Sequence, residues 1–370
     1  MENFIDRLLE LAVQIQQVPA PTFEEKQRAE FVRGRFIQEG LKDVSMDSVN
    51  NVYGRWEAAD RGPKHSARPL IVSAHLDTVF PSETSLHATR EDERVYGPGI
   101  GDNSLGVAAL FGLMWMLRER RIKLQNDVWF VANVCEEGLG DLRGMKAVVD
   151  KFGERVKAYL VIEGLSFGHV YHRAIGVKRY RVTINTAGGH SWSDYGQPSA
   201  VHEAAKLVTE IASLSVPVVP RTTLNIGKIS GGTGINVLAS EAMFELDLRS
   251  ESTDILNALV SQVEKLIRNA NKDGVKIEPA VIGQRPAGEV AVDHPLIKLA
   301  VECLREQGIK AELTCGSTDA NIPLSRGLPA TVLGVTTGDG AHTVHEFIEV
   351  GHVEKGMEQL VRFVERASNQ

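Results

Sequence analysis

A short apolar run that ends in a histidine and an aspartate constrains this chain more than any other stretch. Pro69-Leu70-Ile71-Val72 reads as a buried strand, and it runs out into Ser73-Ala74-His75-Leu76-Asp77-Thr78. Side chains two apart in an extended segment leave on the same side. The Asp77 carboxylate can therefore orient the His75 imidazole while that ring binds a metal. Ligands commonly gather where such strands end. A solvated loop histidine is the plain alternative, and His-x-Asp alone does not exclude it.

The same arrangement returns along the chain. Gly97-Pro98-Gly99-Ile100-Gly101-Asp102-Asn103 is a glycine-rich turn that delivers Asp102 to the N-terminus of an apolar helix running from Leu105 to Leu117. An ordinary N-cap would also account for Asp102. The strand from Asp127 to Cys135 ends in Glu136-Glu137-Gly138. Adjacent like charges repel, so a solvated pair is one reading; one carboxylate on a cation beside another held as a base is the second. Tyr159-Leu160-Val161-Ile162 ends in Glu163, and Thr331 to Val335 leads into Gly338-Asp339-Gly340-Ala341-His342-Thr343-Val344-His345-Glu346. Two histidines and three acidic positions at strand ends make an oxygen-and-nitrogen ligand set. It suits zinc, manganese or cobalt rather than a thiolate centre.

A chain of 370 residues exceeds a typical single small core, so two domains are expected. A net charge of −7 argues against a nucleic-acid partner. No apolar run suggests a membrane span, and the N-terminus opens an amphipathic helix rather than a secretory signal, so a cytoplasmic location is expected. Cys135, Cys303 and Cys315 lack Cys-x-x-Cys spacing and read as buried free thiols.

Phe4, Leu8, Leu11, Ala12 and Ile15 recur at helical spacing. Thr22-Phe23-Glu24-Glu25 has the capping-box pattern and starts a second helix with Ala29, Val32, Phe36 and Ile37 inward. The region from Asp43 to Trp56 reads as a strand, and Asp60 to His65 as a polar loop with His65 exposed. Strands alternating with helices through Glu163 indicate an α/β sheet covered on both faces. After Gly176 the pattern changes to β-α-β-β-α-β, the ferredoxin-like order, before α/β character returns past Pro286. The expected organisation is a catalytic domain in two parts, 1–175 and 285–370, with a small α+β domain, 176–284, inserted between them.

As an ordered set, His75-x-Asp77, Gly101-Asp102-Asn103, Glu136-Glu137-Gly138, Glu163 and His342-x-x-x-Glu346 resemble the di-zinc exopeptidase and deacylase family. That family includes glutamate carboxypeptidase, peptidase T, acetylornithine deacetylase, aminoacylase and succinyl-diaminopimelate desuccinylase. The resemblance implies one zinc held by His75, Asp102 and Glu163 and a second by Asp102, Glu137 and His342, with Asp102 bridging. It makes Glu136 the general base and Asp77 the carboxylate that orients His75. It also makes the insert a lid and the interface of a homodimer. Ala187-Gly188-Gly189-His190-Ser191 resembles the lid motif whose histidine polarises the scissile carbonyl in the partner's site. Gly231 to Asn236 resembles a substrate-contacting loop that ends on Asn236. Arg249 resembles a strand-borne receiver of a substrate carboxylate, against the alternative of an ion pair with Asp247 or Glu245. Gly316-Ser317-Thr318-Asp319-Ala320 matches a segment near the substrate, with Thr318 the contact. The implied substrate is a small peptide with a free carboxylate, or an N-acyl amino acid. Glu at position 163, where peptidase T and dipeptidases tend to have Asp, weakens a tripeptide aminopeptidase assignment.

Gly164-Leu165-Ser166-Phe167-Gly168 raises a rival, a serine hydrolase using Ser166 with His342 as base. Such an elbow must feed a helix, and a β-rich stretch follows here. Gly97-x-Gly99-x-Gly101 falls short of a dinucleotide fingerprint. His345 is the fallback ligand to His342. A catalytically silent binding protein is disfavoured because the base and the full ligand set are present.

Overall fold

The computed structural model describes residues 2–59 and 68–369, so the expected polar loop from Asp60 to His65 lies outside the described residues. The backbone divides into two units, Met1–Ala174 with Glu289–Gln370, and Ile175–Gly288.

The first unit opens with helix α1 (Glu2–Gln16), whose Leu8, Leu11, Ala12 and Ile15 are buried at the predicted spacing. Helix α2 (Lys26–Gln38) buries Arg28, Ala29, Val32 and Phe36, whereas Ile37, expected inward, is 55% exposed. At 3.6 residues per turn, Ile37 lies a further 100° round from Phe36, and the stripe continues back through Arg28 instead. The expected capping box does not form. Thr22 Oγ1 donates to Asp77, and Glu25 occupies the cap position without a side-chain bond to the helix.

The expected single strand from Asp43 to Trp56 is two antiparallel strands, β1 (Lys42–Met46) and β2 (Val52–Trp56). Asp47 makes the turn between them: its Oδ1 accepts the Val49 and Asn51 N–H groups, and Asn50 takes a left-handed φ of 78°. There follow β3 (Leu70–His75), β4 (Thr89–Glu91), β5 (Arg94–Tyr96), α3 (Gly106–Glu119), β6 (Val128–Asn133), α4 (Arg143–Phe152), β7 (Ala158–Glu163) and β8 (His169–Ala174).

The second unit contains β9 (Gly176–Thr186), β10 (Gly189–His190), α5 (Ala200–Ala212), β11 (Thr222–Gly231), β12 (Val237–Leu238), β13 (Glu241–Ser250), α6 (Thr253–Ala270) and β14 (Val275–Arg285). Its main sheet runs β11-β13-β9-β14, all antiparallel. Even-numbered residues of β9 and β13, such as Val182, Ile184, Phe244 and Leu246, join Ala204, Leu207, Leu259 and Val263 of the two helices in a separate core. This is the ferredoxin-like order.

After β15 (Gly288–Glu289) the chain completes the first unit with α7 (Pro295–Arg305), β16 (Glu312–Gly316), α8 (Asn321–Ser325), β17 (Ala330–Gly334), β18 (Gly338–Asp339), β19 (Phe347–Glu349) and α9 (Val353–Asn369). The large sheet has the order β1-β2-β6-β3-β7-β17-β8-β15, with β16 against β8. All six residues of β3 are buried, so helices cover the sheet on both faces. The apolar stretch Ile100–Glu119 is long enough to cross a membrane by length and composition, contrary to the sequence expectation, but it is buried inside the protein. Strands β6, β3, β7 and β17 run parallel, so their C-terminal ends come out along one edge. The candidate site lies there.

Candidate active site

Register delivers the first candidate ligands. His75 ends β3 opposite Asn133 of β6, and Glu163 ends β7 opposite Gly334 of β17. Asp102 arrives from the turn before α3. Its φ of −109° and ψ of 89° are not helical and α3 begins only at Gly106, so Asp102 does not cap the helix. It faces two imidazoles. His75 Nε2 lies 3.1 Å from Asp102 Oδ1, and His342 Nε2 lies 3.1 Å from Asp102 Oδ2. Glu163 Oε2 is 3.6 Å from His75 Nε2, and Glu137 Oε1 is 3.2 Å from His342 Nε2. Ligand atoms of His75, Asp102 and Glu163 lie within 4.8 Å of one another, as do those of Asp102, Glu137 and His342, and those of His75, Glu136 and Glu137.

Each carboxylate is held by a neighbour that binds its backbone. Asp77, fully buried, accepts the Glu136 N–H on Oδ1 at 2.9 Å and the Glu137 N–H on Oδ2 at 2.8 Å. His75 Nδ1 lies 3.1 Å from the Asp77 carbonyl and 3.5 Å from its Oδ1. Asn103 donates to the Ile162 carbonyl and accepts the Gly164 N–H, bracketing Glu163. A Cβ on Gly164 would lie 2.0 Å from the Gly101 carbonyl oxygen, so only glycine lets β7 end against the Asp102 turn. The buried Glu346 accepts the N–H groups of Gly99, Gly101 and Asp102 at 2.7–2.8 Å.

Carboxylates outnumber cationic groups here, and the protonation equilibria reflect it. Burial opposes the charge on His75, yet Asp102, Asp77 and Glu163 hold it well above the ordinary imidazole value. Asp102 and Glu137 raise His342 to about 10. Burial raises Glu137 and Glu163, while Asp102, despite its burial, is held low by His342 and His75. Burial likewise pushes Glu346 up to about 7 against its three N–H donors. A cluster of this sign, with one carboxylate dividing its oxygens between two imidazoles, fits a pair of divalent cations.

His342, not His345, joins the cluster; His345 is exposed, with its N–H on Thr343. Thr318 is half-buried, and its hydroxyl accepts the Ala320 N–H. Beside it, Asp319 is fully buried on the Asn133 amide and raised by burial to about 7. In the second unit, His190 is exposed and its Nδ1 accepts the Trp192 and Ser193 N–H groups at 3.2 and 3.4 Å. Asn236 is exposed, and its carbonyl takes the Ser191 N–H. Arg249 forms the ion pair that competed with carboxylate binding: its Nε lies 2.6 Å from Asp247, which also takes Arg179. Ser166 shares a hydrogen bond with the Tyr171 hydroxyl, and its turn feeds β8 rather than a helix, so the nucleophile elbow is absent. Among the described residues the three cysteines form no disulfide; Cys135 and Cys303 are buried, but Cys315 is only partly so.

Sequence reasoning did not single out Asn103, Glu346 or Glu25 as functional. The Gly101-Asp102-Asn103 motif and the spacing of Glu346 from His342 were the signals available.

The sequence matches the model of Peptidase family M20/M25/M40 over residues 71–366. The chain belongs to that family. It is thus an M20 metal-dependent hydrolase, and its relatives within the family differ in what they are named for. It is similar to a succinyl-diaminopimelate desuccinylase of Corynebacterium glutamicum, 25% identical over 347 residues, covering 90% of this chain and 89% of that protein. A probable carboxypeptidase of Trichophyton verrucosum is 28% identical over 337 residues, 83% of this chain and 71% of that one. The solved structure of a tripeptidase from Staphylococcus aureus shares the fold, with a TM-score of 0.84, 23% identity and 99% coverage of both chains.

Proposed function

We propose that this M20 protein is an exopeptidase that cleaves an amide bond of a small peptide bearing a free carboxylate. The observation that carries the reading is the division of Asp102, one oxygen toward His75 and the other toward His342. His75, Asp102 and Glu163 would hold one divalent ion, and Asp102, Glu137 and His342 the other, with zinc the proposed metal. Bound there, the ions supply Lewis acidity that brings the pKa of water toward neutrality and stabilises charge on a carbonyl oxygen.

The chain's own groups do the rest. Glu136, buried among His75 and Glu137, takes the proton of the attacking water and returns it to the leaving amine. His190 accepts two backbone N–H groups on Nδ1, which puts the ring proton on Nε2. In that tautomer it donates to the oxyanion in the partner subunit's site. Arg249, anchored by Asp247, offers its remaining N–H groups to the substrate carboxylate. We further propose a homodimer through the second unit. Support comes from its outer strands, β11 and β14, which expose Ile229 and Val281 along open edges. A second substrate reading, an N-acyl amino acid, is favoured by the likeness to the desuccinylase.

The deciding experiment measures metal content and turnover on dipeptides, tripeptides and N-acyl amino acids, before and after chelation and metal return. Chelator-sensitive hydrolysis is expected, with the preferred panel member choosing between peptide and acyl substrates. Metal-free activity blocked by a serine-directed reagent would overturn the reading. An active monomer on a sizing column would remove the dimer.

A further inference from the structure

Glu25 stands at the start of α2, 1% exposed, with no bond to its own helix from the side chain. Its Oε1 instead accepts the Phe23 N–H at 2.9 Å, the Cys135 N–H at 3.1 Å and the Cys135 thiol at 3.3 Å. Asp77 takes the next two amides, of Glu136 and Glu137. Three consecutive N–H groups at the end of β6 are therefore each held by a buried carboxylate. Cys135 has a left-handed φ of 58°, so the chain turns sharply just before Glu136, and Glu25 is the acceptor at that turn.

One turn further along α2, the buried Arg28 donates to the carbonyls of Leu76 at 2.7 Å, Val18 at 2.8 Å and Gln16 at 3.1 Å. Leu76 lies between His75 and Asp77. Burial lowers the Arg28 guanidinium, and the nearby charges of Asp77 and Glu25 oppose that lowering. An apolar plug would serve the fold at lower cost than this buried ionic group. What the carboxylate adds is a fixed, charge-assisted acceptor for one particular backbone turn.

We infer that Glu25 is a positioning residue that sets the orientation of Glu136 by holding the Cys135 turn. The inference rests on Glu136 being the base, as proposed above. Helix α2 is then part of the catalytic apparatus, because its N-cap and first turn tie the β3 loop to the β6 loop. A carboxylate displaced by about 1 Å can cost about a hundredfold in rate, so the turn that carries it is worth fixing.

The test compares Glu25→Gln, Glu25→Ala, Glu136→Gln and the Glu25→Gln/Glu136→Gln double variant, all metal-loaded. The measurements are metal content, thermal midpoint, kcat, KM and hydrogen exchange of the amides around residues 135–137. Glu25→Gln, which keeps the shape, should hold metal and midpoint but lose kcat about tenfold with KM little changed; Glu25→Ala should lose about a hundredfold. Exchange at the Cys135 amide should quicken in the alanine variant. The double variant should be no slower than Glu136→Gln alone, since Glu25 acts only through that residue. Wild-type kcat in both Glu25 variants would overturn the inference. So would a kcat loss that merely tracks lost metal or a lowered midpoint, or effects that multiply in the double variant. A wild-type enzyme without chelator-sensitive hydrolysis, or a fully active Glu136→Gln, would instead bring down the parent reading, and this inference with it.

Discussion

Asp102 gives each of its oxygens a different imidazole, and this separates it from the other candidate ligands. Removing a carboxylate shared by two sites should empty both, whereas removing His342 should empty one. Metal analysis of Asp102→Ala and His342→Ala checks this: the first is expected to retain almost no metal, and the second about half the wild-type content. Equal retention by the two variants would refute the shared role. The candidate ligands were legible because each is a reactive side chain that follows an apolar strand or sits in a glycine-rich turn. Asn103, Glu346 and Glu25 were not, because their partners are backbone amides and carbonyls. An amide has no residue type, so a glutamate that holds three of them looks in the sequence like any other glutamate. Asp77 shows both sides of this. Its spacing from His75 was readable, but its grip on the Glu136 and Glu137 amides was not.

The turn at Asp47 shows how an element can be misread. Residues on either side of it alternate well enough to pass for one strand, yet Asp47-Ser48-Val49-Asn50 carries turn-forming residue types. Asp47 closes the turn with four bonds: the Val49 and Asn51 amides on Oδ1, and the Asn51 side chain and the Tyr53 hydroxyl on Oδ2. Tyr53 is itself buried, so its hydroxyl has no water to turn to. Asp47→Ala should therefore cost about 2 kcal/mol, which is more than a typical surface substitution and less than a core cavity. Urea unfolding of the intact protein measures it, and a midpoint unchanged from wild type would show the turn to be held by other means. By contrast, α1 was readable from periodicity alone, because Leu8, Leu11, Ala12 and Ile15 form a continuous buried stripe. The start of α3 was not. There the Asp102 backbone departs from helical angles to meet the site, a local demand that outweighs the capping preference of an aspartate.

At the level of the whole chain, the change of hydrophobic period from mixed strand and helix signals to the β-α-β-β-α-β order marked the second unit's architecture in the sequence. Its independence goes further than the pattern. Val182, Ile184, Phe244 and Leu246 pack with residues of α5 and α6 in a core that shares no member with the first unit's core. The Tyr180 hydroxyl donates to Glu264 at 2.7 Å, tying α6 to the sheet. The segment also leaves and returns through neighbouring strands, with Val177 of β9 paired to Arg285 of β14. Its two ends therefore come together, and cutting there removes no internal pairing. A protein comprising Ile175–Gly288 alone should fold, with a cooperative thermal transition and a stability on the order of 5 kcal/mol. Circular dichroism and a urea titration of that fragment decide it. A broad, non-cooperative melt would mean that the second core depends on the rest of the chain, and that the two units are one folding unit in spite of their separate interiors.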